Sequence, residues 1–371
     1  MILYLSGQLL KIMKHYLCLL LCLAVCFTQA KSKTNVKSNL VVFAANNPKI
    51  QYTGRIDFTN PLKPRFWSPA VYVQARFKGT SCTIMLNDEV LYGTTHNYIE
   101  VVIDNQKPVR LQTNGKTNVI KAAENLPYGV HTITICKDTE SGIGYLEFTG
   151  IKCAELLSLP AKPSRKIEYI GDSITCGSSM DMTAIACGKG TWYDQHNAYM
   201  SYGPLTSRAL NAQYVLSSVS GIGLIHSCCD MKIQMPQVFD KINMRTDSIK
   251  WNFTQYQPDV VTVCLGQNDG IQDSTAYCSA YVKFIGDIRM HYPKADIVCL
   301  TSPMGDSTLT PVLKKYITSI NNYVNHAGDE KVTHYFFSKR YFHGCGTHPD
   351  MAEHREIAEE LTVYLKQLKN W

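Results

Sequence analysis

The stretch KIEYIGDSITCG at residues 166–177 decides the fold of the C-terminal half of this chain. Its first part, residues 166–170, reads as a β-strand. The strand runs into Gly171-Asp172-Ser173, where a glycine and two polar residues indicate a turn. This pattern predicts a strand that delivers a serine hydroxyl to its carboxyl end.

Strand and helix patterns alternate through the rest of this half. Such alternation is typical of a parallel sheet covered by helices on both faces, so residues 160–371 are predicted to form an α/β/α domain. Active sites in such sheets form at the carboxyl ends of the strands. The further predicted strands are 214–217, 259–265, 296–300 and 332–337, and the predicted helices are 202–210, 276–290, 311–325 and 352–368.

The N-terminal half has a different pattern. Between residues 36 and 155, β-branched and aromatic runs alternate with turn residues at intervals of about 8–12 residues, which is typical of an antiparallel sandwich. We therefore predict an all-β jelly-roll domain over residues 36–155, followed by the short linker Pro-Ala-Lys-Pro at 160–163. The clearest runs are 71–77, 82–86, 99–103, 131–136 and 145–148.

Composition narrows the class of protein. The 371 residues carry a net charge of +7, from 37 basic and 30 acidic residues, and no Lys/Arg run is present. Nucleic acid is therefore not required as a partner. The mean hydropathy of −0.13, with a single long apolar run, excludes a polytopic membrane protein.

The apolar run lies near the N-terminus, at residues 16–27, and follows two basic residues. Its length suits a signal-peptide core and is short of the roughly 20 residues that a membrane-spanning helix needs. Thr28 and Ala30 offer small residues for a cleavage site. We predict a signal peptide over residues 1–30 and a secreted or periplasmic protein. An uncleaved anchor and a lipoprotein at Cys26 are the alternatives.

The sequence contains 14 cysteines, of which three lie in the predicted signal peptide. The remaining number is odd, and no spacing typical of a zinc site occurs. Most are expected to be buried apolar residues, with one or two disulfides that the sequence does not assign. A metal at His226, Cys228 and Cys229 is conceivable, but a core or surface role is favoured and no metal is predicted.

Four loops at or near predicted strand ends carry, in order, a serine, glycines, an asparagine and histidines. These are the parts that acyl transfer needs: a hydroxyl that attacks, an imidazole that takes its proton, and N–H donors that hold the oxyanion. The residues are Ser173, Gly221 with Gly223 as its rival, Asn268, and His348 with His343 as its rival.

The order and spacing of these blocks resemble those of the SGNH (GDSL-like) hydrolases. The upstream β-sandwich and the phrase EYIGDSITCG make the chain similar to carbohydrate esterase family 2, two-domain acetyl esterases of acetylated plant polysaccharides. The resemblance covers residues 40–371. It implies a flavodoxin-like parallel sheet, an acetylated carbohydrate substrate, and no metal or organic cofactor.

Carried over residue by residue, the resemblance implies that Ser173 is the nucleophile and, through its backbone N–H, the first oxyanion donor. Gly221 matches the second donor, Asn268 supplies a side-chain amide, and His348 matches the general base. Each residue has a simpler alternative. Ser173 could cap the helix that follows, Asn268 could lie in a plain turn, and His348 could be a structural loop residue.

One position departs from the wider group, whose members usually carry an aspartate three residues before the histidine to orient the imidazole. Here that residue is Cys345. The resembled esterase family includes members in which a backbone carbonyl orients the ring. We therefore expect a Ser–His dyad, or a triad completed by an acid from elsewhere; Asp306 is a possibility, and Asp350 is too close in sequence to be an easy choice.

The resulting prediction is an esterase that removes O-acetyl groups from hemicellulose, such as xylan or glucomannan, through an acetyl-enzyme. Trp192 and Tyr193 could stack against a sugar ring, although simple packing would equally explain them. Two alternatives stay open. One is a lipase or thioesterase on the same fold, and the other is a non-catalytic carbohydrate-binding protein, which the missing aspartate motivates.

Overall fold

The computed structural model describes residues 39–104 and 106–371. The predicted signal peptide and the alternative lipoprotein site at Cys26 lie outside the described residues. Within the described part of the chain, no helix is both long enough and apolar enough to cross a membrane.

The N-terminal part is an antiparallel sheet of nine strands, most of them in the order β1-β9-β4-β8-β5-β6. Strands β2 and β7 pair with β4, and β3 pairs with β9. The strands are β1 (Val41–Ala44), β2 (Gln51–Thr53), β3 (Arg65–Phe66), β4 (Tyr72–Asp88), β5 (Tyr98–Ile103), β6 (Val109–Gln112), β7 (Thr117–Ala123), β8 (Gly129–Lys137) and β9 (Leu146–Leu157).

Strand β4 corrects one prediction, because the runs 71–77 and 82–86 are parts of a single strand of 17 residues. A register shift between Lys78 and Cys82 separates its two halves. Before the shift the odd-numbered residues are buried, and after it the even-numbered ones are. The extra residues of a bulge move the inward face by one position, so both halves contribute to one apolar core.

The C-terminal part is a parallel sheet in the order β11-β10-β14-β15-β16. The predicted fold class, an antiparallel β domain followed by an α/β domain with a parallel sheet, is confirmed. The elements are β10 (Arg165–Gly171), α1 (Ser173–Cys176), α2 (Tyr202–Ala209), β11 (Ala212–Ser218), α3 (Met235–Val238), a hairpin of β12 (Lys241–Asn243) and β13 (Ser248–Lys250), β14 (Val260–Cys264), α4 (Ser274–His291), β15 (Asp296–Leu300), α5 (Leu309–His326), β16 (Val332–Tyr335) and α6 (Met351–Lys369).

Helices cover both faces of this sheet. Helices α4 and α5 pack in one apolar cluster, which includes Phe284 and Ile317, and helices α2 and α6 pack in another, which includes Tyr202 and Leu361. Strands β11 and β14 are buried along their whole length, as a sheet covered on both faces requires. The chain order reverses around β10, and the crevice at the carboxyl ends of β10 and its neighbours is where ligands bind in such sheets.

A buried ion pair anchors the N-terminal sheet to strand β10. The Arg55 guanidinium lies 2.7 Å from the Glu168 carboxylate, and both side chains are almost fully buried. Glu168 also accepts hydrogen bonds from Ser217 and Tyr292, so its remaining lone pairs are satisfied. A buried pair needs such extra partners to offset its desolvation. The contact ties the N-terminal domain to the strand that precedes Ser173.

Candidate active site

Ser173 is the first residue of α1, separated from the end of β10 by Asp172 alone, and it is buried. The helix cap is Asp172, whose Oδ1 accepts the Ile174 N–H at 3.0 Å. The alternative in which Ser173 itself caps the helix is therefore wrong. Gly177 ends the short helix in the left-handed conformation, φ 71°, where a β-carbon would collide with the Asn197 carbonyl.

The Ser173 hydroxyl and the His348 imidazole are in contact. His348 Nε2 lies 2.8 Å from Ser173 Oγ, although the two residues are 175 positions apart in the chain. The other ring nitrogen, Nδ1, lies 3.2 Å from the Cys345 carbonyl oxygen. Because a carbonyl can only accept, the ring proton is assigned to Nδ1, which leaves Nε2 free to accept the serine proton.

No carboxylate of the described residues bonds to this imidazole. The Asp306 carboxylate accepts the Thr308 and Leu309 N–H groups, and Asp350 caps α6 through its bonds to Ala352 and Glu353. The rival histidine is also committed elsewhere. His343 Nδ1 contacts the Glu353 carboxylate at 2.5 Å, and the His343 side chain is largely exposed.

The two glycines that follow β11 differ in where their N–H groups point. Gly223 donates to Ser227 Oγ at 3.0 Å, whereas the Gly221 N–H has no acceptor among the described residues and Gly221 lines the cavity beside Ser173. Gly221 adopts φ +82°, and a β-carbon there would lie 3.0 Å from Cys228 Sγ. Only glycine allows this backbone to approach the cavity in that conformation.

Asn268 lines the same cavity as these groups. Its Nδ2 donates to the Ile222 carbonyl at 2.9 Å and faces the Asp172 Oδ2 at a longer 3.3 Å. The first bond fixes the side chain to the same loop that carries Gly221. The other amide hydrogen makes only the longer contact, so we infer that this hydrogen is the one available to a bound oxyanion.

Asp269 has a role that the sequence interpretation missed. Its carboxylate accepts the backbone N–H groups of Leu224, Ile225 and His226 at 2.7–3.0 Å. These bonds hold the loop after β11 against the loop after β14, so Gly221 and Asn268 keep a fixed separation. The signal that could have found it is an aspartate directly after Asn268, since carboxylates readily cap consecutive N–H groups.

Glu140 is a second residue that was missed, and it comes from the N-terminal domain. Its buried carboxylate accepts the Ser220 N–H at 2.5 Å and the Cys176 thiol at 3.5 Å. These partners lie next to Gly221 and on helix α1, respectively. Burial raises the pKa of Glu140, and the bond from Ser220 opposes that change. The N-terminal domain thus contacts both the loop that carries Gly221 and helix α1, which carries Ser173.

The site opens into a cavity of about 420 Å³. Trp192 stands on its rim with 55% of its surface exposed, and its ring meets that of His196 edge-to-face at 4.9 Å between centroids. Tyr193 is buried and packs with Tyr98 and Ile143. The lining residues are Ser173, Ser178, Ser179, Trp192, Ser220, Gly221, Cys228, Cys229, Met231, Gln267, Asn268, Met304 and His348.

The described residues contain two disulfides, of which the Cys228–Cys229 pair lines the cavity. Cys228 and Cys229 bond to each other, and Cys187 bonds to Cys345. Among the described residues, no cluster of three or more His, Cys, Asp or Glu side chains is placed to hold a metal ion. Seven described cysteines are free, and all but Cys278 are buried, as expected for small apolar residues.

Known protein families and proteins are similar to this chain. Residues 52–163 match the carbohydrate esterase 2 N-terminal family, and residues 169–354 match the GDSL-like lipase/acylhydrolase family. The cellulase/esterase CelE of Acetivibrio thermocellus is 31% identical over 336 residues, which are 88% of this chain and 40% of that longer protein. An acetylxylan esterase/glucomannan deacetylase of Cellvibrio japonicus is 27% identical over 345 residues, 91% of this chain and 94% of that protein.

A solved structure is similar over almost its whole length. It is a family two carbohydrate esterase from Clostridium thermocellum in complex with cellohexaose, with 30% identity and a TM-score of 0.79, covering 87% of this chain and 99% of that one. Fold and site together define the class of GDSL-like serine acylhydrolases. Within that class, the chain belongs to carbohydrate esterase family 2, since its N-terminal domain matches that family's N-terminal model and the solved family two esterase is 30% identical across both domains.

Proposed function

We propose that this protein is a serine esterase that removes O-acetyl groups from hemicellulose polysaccharides or their oligosaccharides. The observation that carries the proposal is the 2.8 Å contact between His348 Nε2 and Ser173 Oγ at the wall of an open cavity. A nucleophile in hydrogen-bond contact with its base, with oriented N–H donors beside it, is the arrangement of covalent acyl transfer.

In the first half-reaction, Ser173 Oγ attacks the acetyl carbonyl carbon while its proton passes to His348 Nε2. The oxyanion that forms accepts hydrogen bonds from the backbone N–H groups of Ser173 and Gly221 and from the Asn268 amide. The intermediate collapses, the C–O bond to the sugar breaks, and the sugar oxygen takes the proton from Nε2. An acetyl group is now bonded to Ser173 Oγ.

In the second half-reaction, water replaces the sugar. His348 takes a proton from the water as its oxygen attacks the acetyl carbonyl, and the same donors hold the second oxyanion. Collapse of this intermediate releases acetate and returns the proton to Ser173 Oγ. The Cys345 carbonyl keeps the other ring proton on Nδ1 through both halves. No step needs a metal or an organic cofactor.

An acetylated sugar is the substrate class that the comparisons favour. One relative is named an acetylxylan esterase/glucomannan deacetylase, and a structural relative is described in complex with cellohexaose. The exposed ring of Trp192 on the cavity rim supports the same assignment, because pyranose rings bind to aromatic faces. We propose Trp192 as a sugar-binding residue.

The direct test is the release of acetate from acetylated xylan, acetylated glucomannan and simple sugar acetates. We expect acetate from these substrates and a preference for 4-nitrophenyl acetate over 4-nitrophenyl octanoate. A preference for the octanoyl ester would contradict the proposal and indicate a lipase or thioesterase. Glycan binding without acetate release would instead indicate a carbohydrate-binding protein.

Replacing Asn268 by alanine is expected to lower kcat by about 10²- to 10³-fold, because one oxyanion donor is lost. KM should change much less, since the donor acts on charge that develops after binding. Steady-state kinetics on 4-nitrophenyl acetate measure both. Gln267→Ala is the matched control, because Gln267 lines the same cavity and its oxygen accepts a bond from Ser302. Equal losses in the two variants would contradict the role of Asn268.

The pH profile should report the state of His348. Burial lowers the pKa of His348 from its ordinary value of 6.5, and hydrogen bonds to the Cys345 and Gly346 carbonyls only partly oppose this. The neutral base therefore persists below pH 6.5, and kcat/KM should fall on the acid side with a midpoint below that value.

One other buried group needs a control in this profile. Burial raises the pKa of Asp172 to about 7, so Asp172 could titrate in the same range. The profile of Asp172→Asn removes that titration and keeps an oxygen for the Ile174 N–H. A midpoint above pH 6.5 in both proteins would contradict the assignment of a buried His348 as the base.

We also propose that the protein is exported, with residues 1–30 as its signal peptide, and that its two domains span residues 36–155 and 160–371. The two disulfides support export, because such bonds persist in oxidising compartments. A polymeric glycan substrate outside the cell agrees with this location.

A further inference from the structure

The disulfide between Cys187 and Cys345 joins two loops that flank the cavity. Their Cα atoms lie 5.3 Å apart, across 158 residues of chain. Cys345 stands where the wider group carries the orienting aspartate. Cys187 belongs to the loop 182–192, which ends at Trp192 on the cavity rim. The bridge therefore connects the rim to the turn that holds His348.

The turn at 344–348 needs support from outside. The Cys345 N–H donates to the Ser179 carbonyl at 2.9 Å, and the Gly344 N–H donates to the His348 carbonyl at 2.6 Å. At its exposed tip, Gly346 and Thr347 have φ values of 58° and 62°. A threonine in this region is strained, and such a conformation persists only when its surroundings impose it.

The loop on the other side of the bridge is well braced. Asn197 Nδ2 bonds to Asp181 across its base at 2.9 Å. The Gln195 amide donates to the carbonyls of Ile185, Ala186 and Lys189, at 3.2–3.3 Å. Cys187 lies between these carbonyls, so it is a firm attachment point although its side chain is at the surface.

An aspartate at position 345 would orient the imidazole with its own side chain. Cys345 offers only its backbone carbonyl, and the position of that oxygen depends on the shape of the turn. The disulfide holds the Cβ of the same residue, two bonds from the carbonyl carbon. It thereby limits how far the acceptor of His348 Nδ1 can move.

We propose that the Cys187–Cys345 disulfide is a positioning element for His348, and that it takes over the orienting part of the missing acid. The proposal rests on the proposed function, in which His348 is the general base. Without the bridge the carbonyl is still present but no longer held. Because small misplacements of a catalytic group are costly, kcat should fall about 10- to 100-fold.

The test compares the wild-type protein with Cys187→Ser/Cys345→Ser. Mutation removes this disulfide alone, whereas a reductant would also open the Cys228–Cys229 bridge in the cavity wall. Cys278→Ser is the matched control, since Cys278 is a free cysteine on α4 outside the cavity lining. We expect a lower kcat on 4-nitrophenyl acetate with little change in KM for the double variant, and wild-type values for the control.

A second readout does not depend on turnover. Nitrogen NMR of histidine-labelled protein reports which ring nitrogen of His348 carries the proton, with the signal assigned by its absence in His348→Ala. The wild-type ring should carry it on Nδ1, and the double variant should show a mixture of both tautomers. If the wild-type protein hydrolyses no ester, the proposed function is wrong. The tautomer ratio then still tests whether the disulfide positions the ring of His348.

Restoring an acid gives a further check. Cys187→Ser/Cys345→Asp places a carboxylate at the position used by the wider group and should recover kcat relative to the double-serine variant. The proposal is overturned if the double-serine variant keeps the wild-type kcat or the wild-type tautomer. It is also contradicted if the aspartate variant has a kcat no higher than that of the double-serine variant.

If the double-serine chain does not fold, the bridge can be opened in folded protein. The variant Cys228→Ser/Cys229→Ser removes one of the two disulfides of the described residues, so that a reductant added to it opens the other, Cys187–Cys345. Turnover is then measured before and after the reductant is added. The same fall in kcat supports the proposal, and an unchanged rate overturns it.

Discussion

Ser173→Ala is expected to abolish hydrolysis of 4-nitrophenyl acetate, with a fall in kcat of about 10⁴- to 10⁶-fold. The loss is this large because no acetyl-enzyme can form without the attacking oxygen. The hydroxyl lies 2.8 Å from its base in the resting protein, so little rearrangement precedes the attack. Initial rates corrected for spontaneous hydrolysis measure the effect.

Ser179→Ala is the matched control for this variant. Ser179 lines the same cavity, and its carbonyl, which accepts the Cys345 N–H, is unaffected by the change. We expect a rate close to wild type. A fluorophosphonate should label Ser173 in the wild type and the control but not in Ser173→Ala. Retained turnover in Ser173→Ala would refute this nucleophile.

His348→Ala should cost about as much, roughly 10⁴- to 10⁶-fold in kcat, because nucleophile and base act as a unit. Without the imidazole, no base takes the proton of Ser173 during its attack. The 4-nitrophenyl acetate assay measures this loss, because its leaving group needs no proton donor; on a sugar acetate the leaving oxygen would lose its proton donor as well. His343→Ala is the control, since His343 is bonded to Glu353 at the surface, and its rate should stay near wild type.

The same assay decides between a dyad and a triad. Asp306→Asn and Asp350→Asn each remove a candidate acid, and asparagine preserves the helix-capping oxygen that both aspartates supply. Because the Nδ1 partner is the Cys345 carbonyl, we expect both variants to retain activity. A collapse in either one would show that a side-chain acid is needed after all.

Much of the site could be predicted from the sequence because the rule that places it is local. A parallel sheet brings the carboxyl ends of its strands to one edge. Ser173 follows β10 and Asn268 follows β14, so alternating strand and helix patterns are enough to expect them together. Gly221 and His348 lie in the loops that reach the same edge. The strand-and-turn spacing of the N-terminal half likewise predicts an antiparallel domain, although the bulge in β4 hides the fact that two runs are one strand.

Other contacts carry no local signal. Glu140 meets the Ser220 N–H across 80 residues and a domain boundary, and the preceding strand gives no sign of a buried carboxylate. In the sequence, Asp269 looks like a residue of a turn. Only the structure shows that the loop after β11 packs against its carboxylate. The sequence left open whether an acid completes the site, because the spacing of Asp306 and Asp350 says nothing about the bonds that their carboxylates make.

Sequence by itself determined the fold class, the order of the chemical groups and the odd residue at position 345. The hydrophobic periodicity of strands and helices and the residues typical of turns depend on neighbours in the chain, so both can be recognised in the sequence alone. Tertiary structure alone decided which glycine N–H is free, what accepts the proton of the imidazole, and which cysteine pairs with Cys345. These outcomes depend on distances of a few ångströms between residues far apart in the chain, and only the packing of the whole molecule sets such distances.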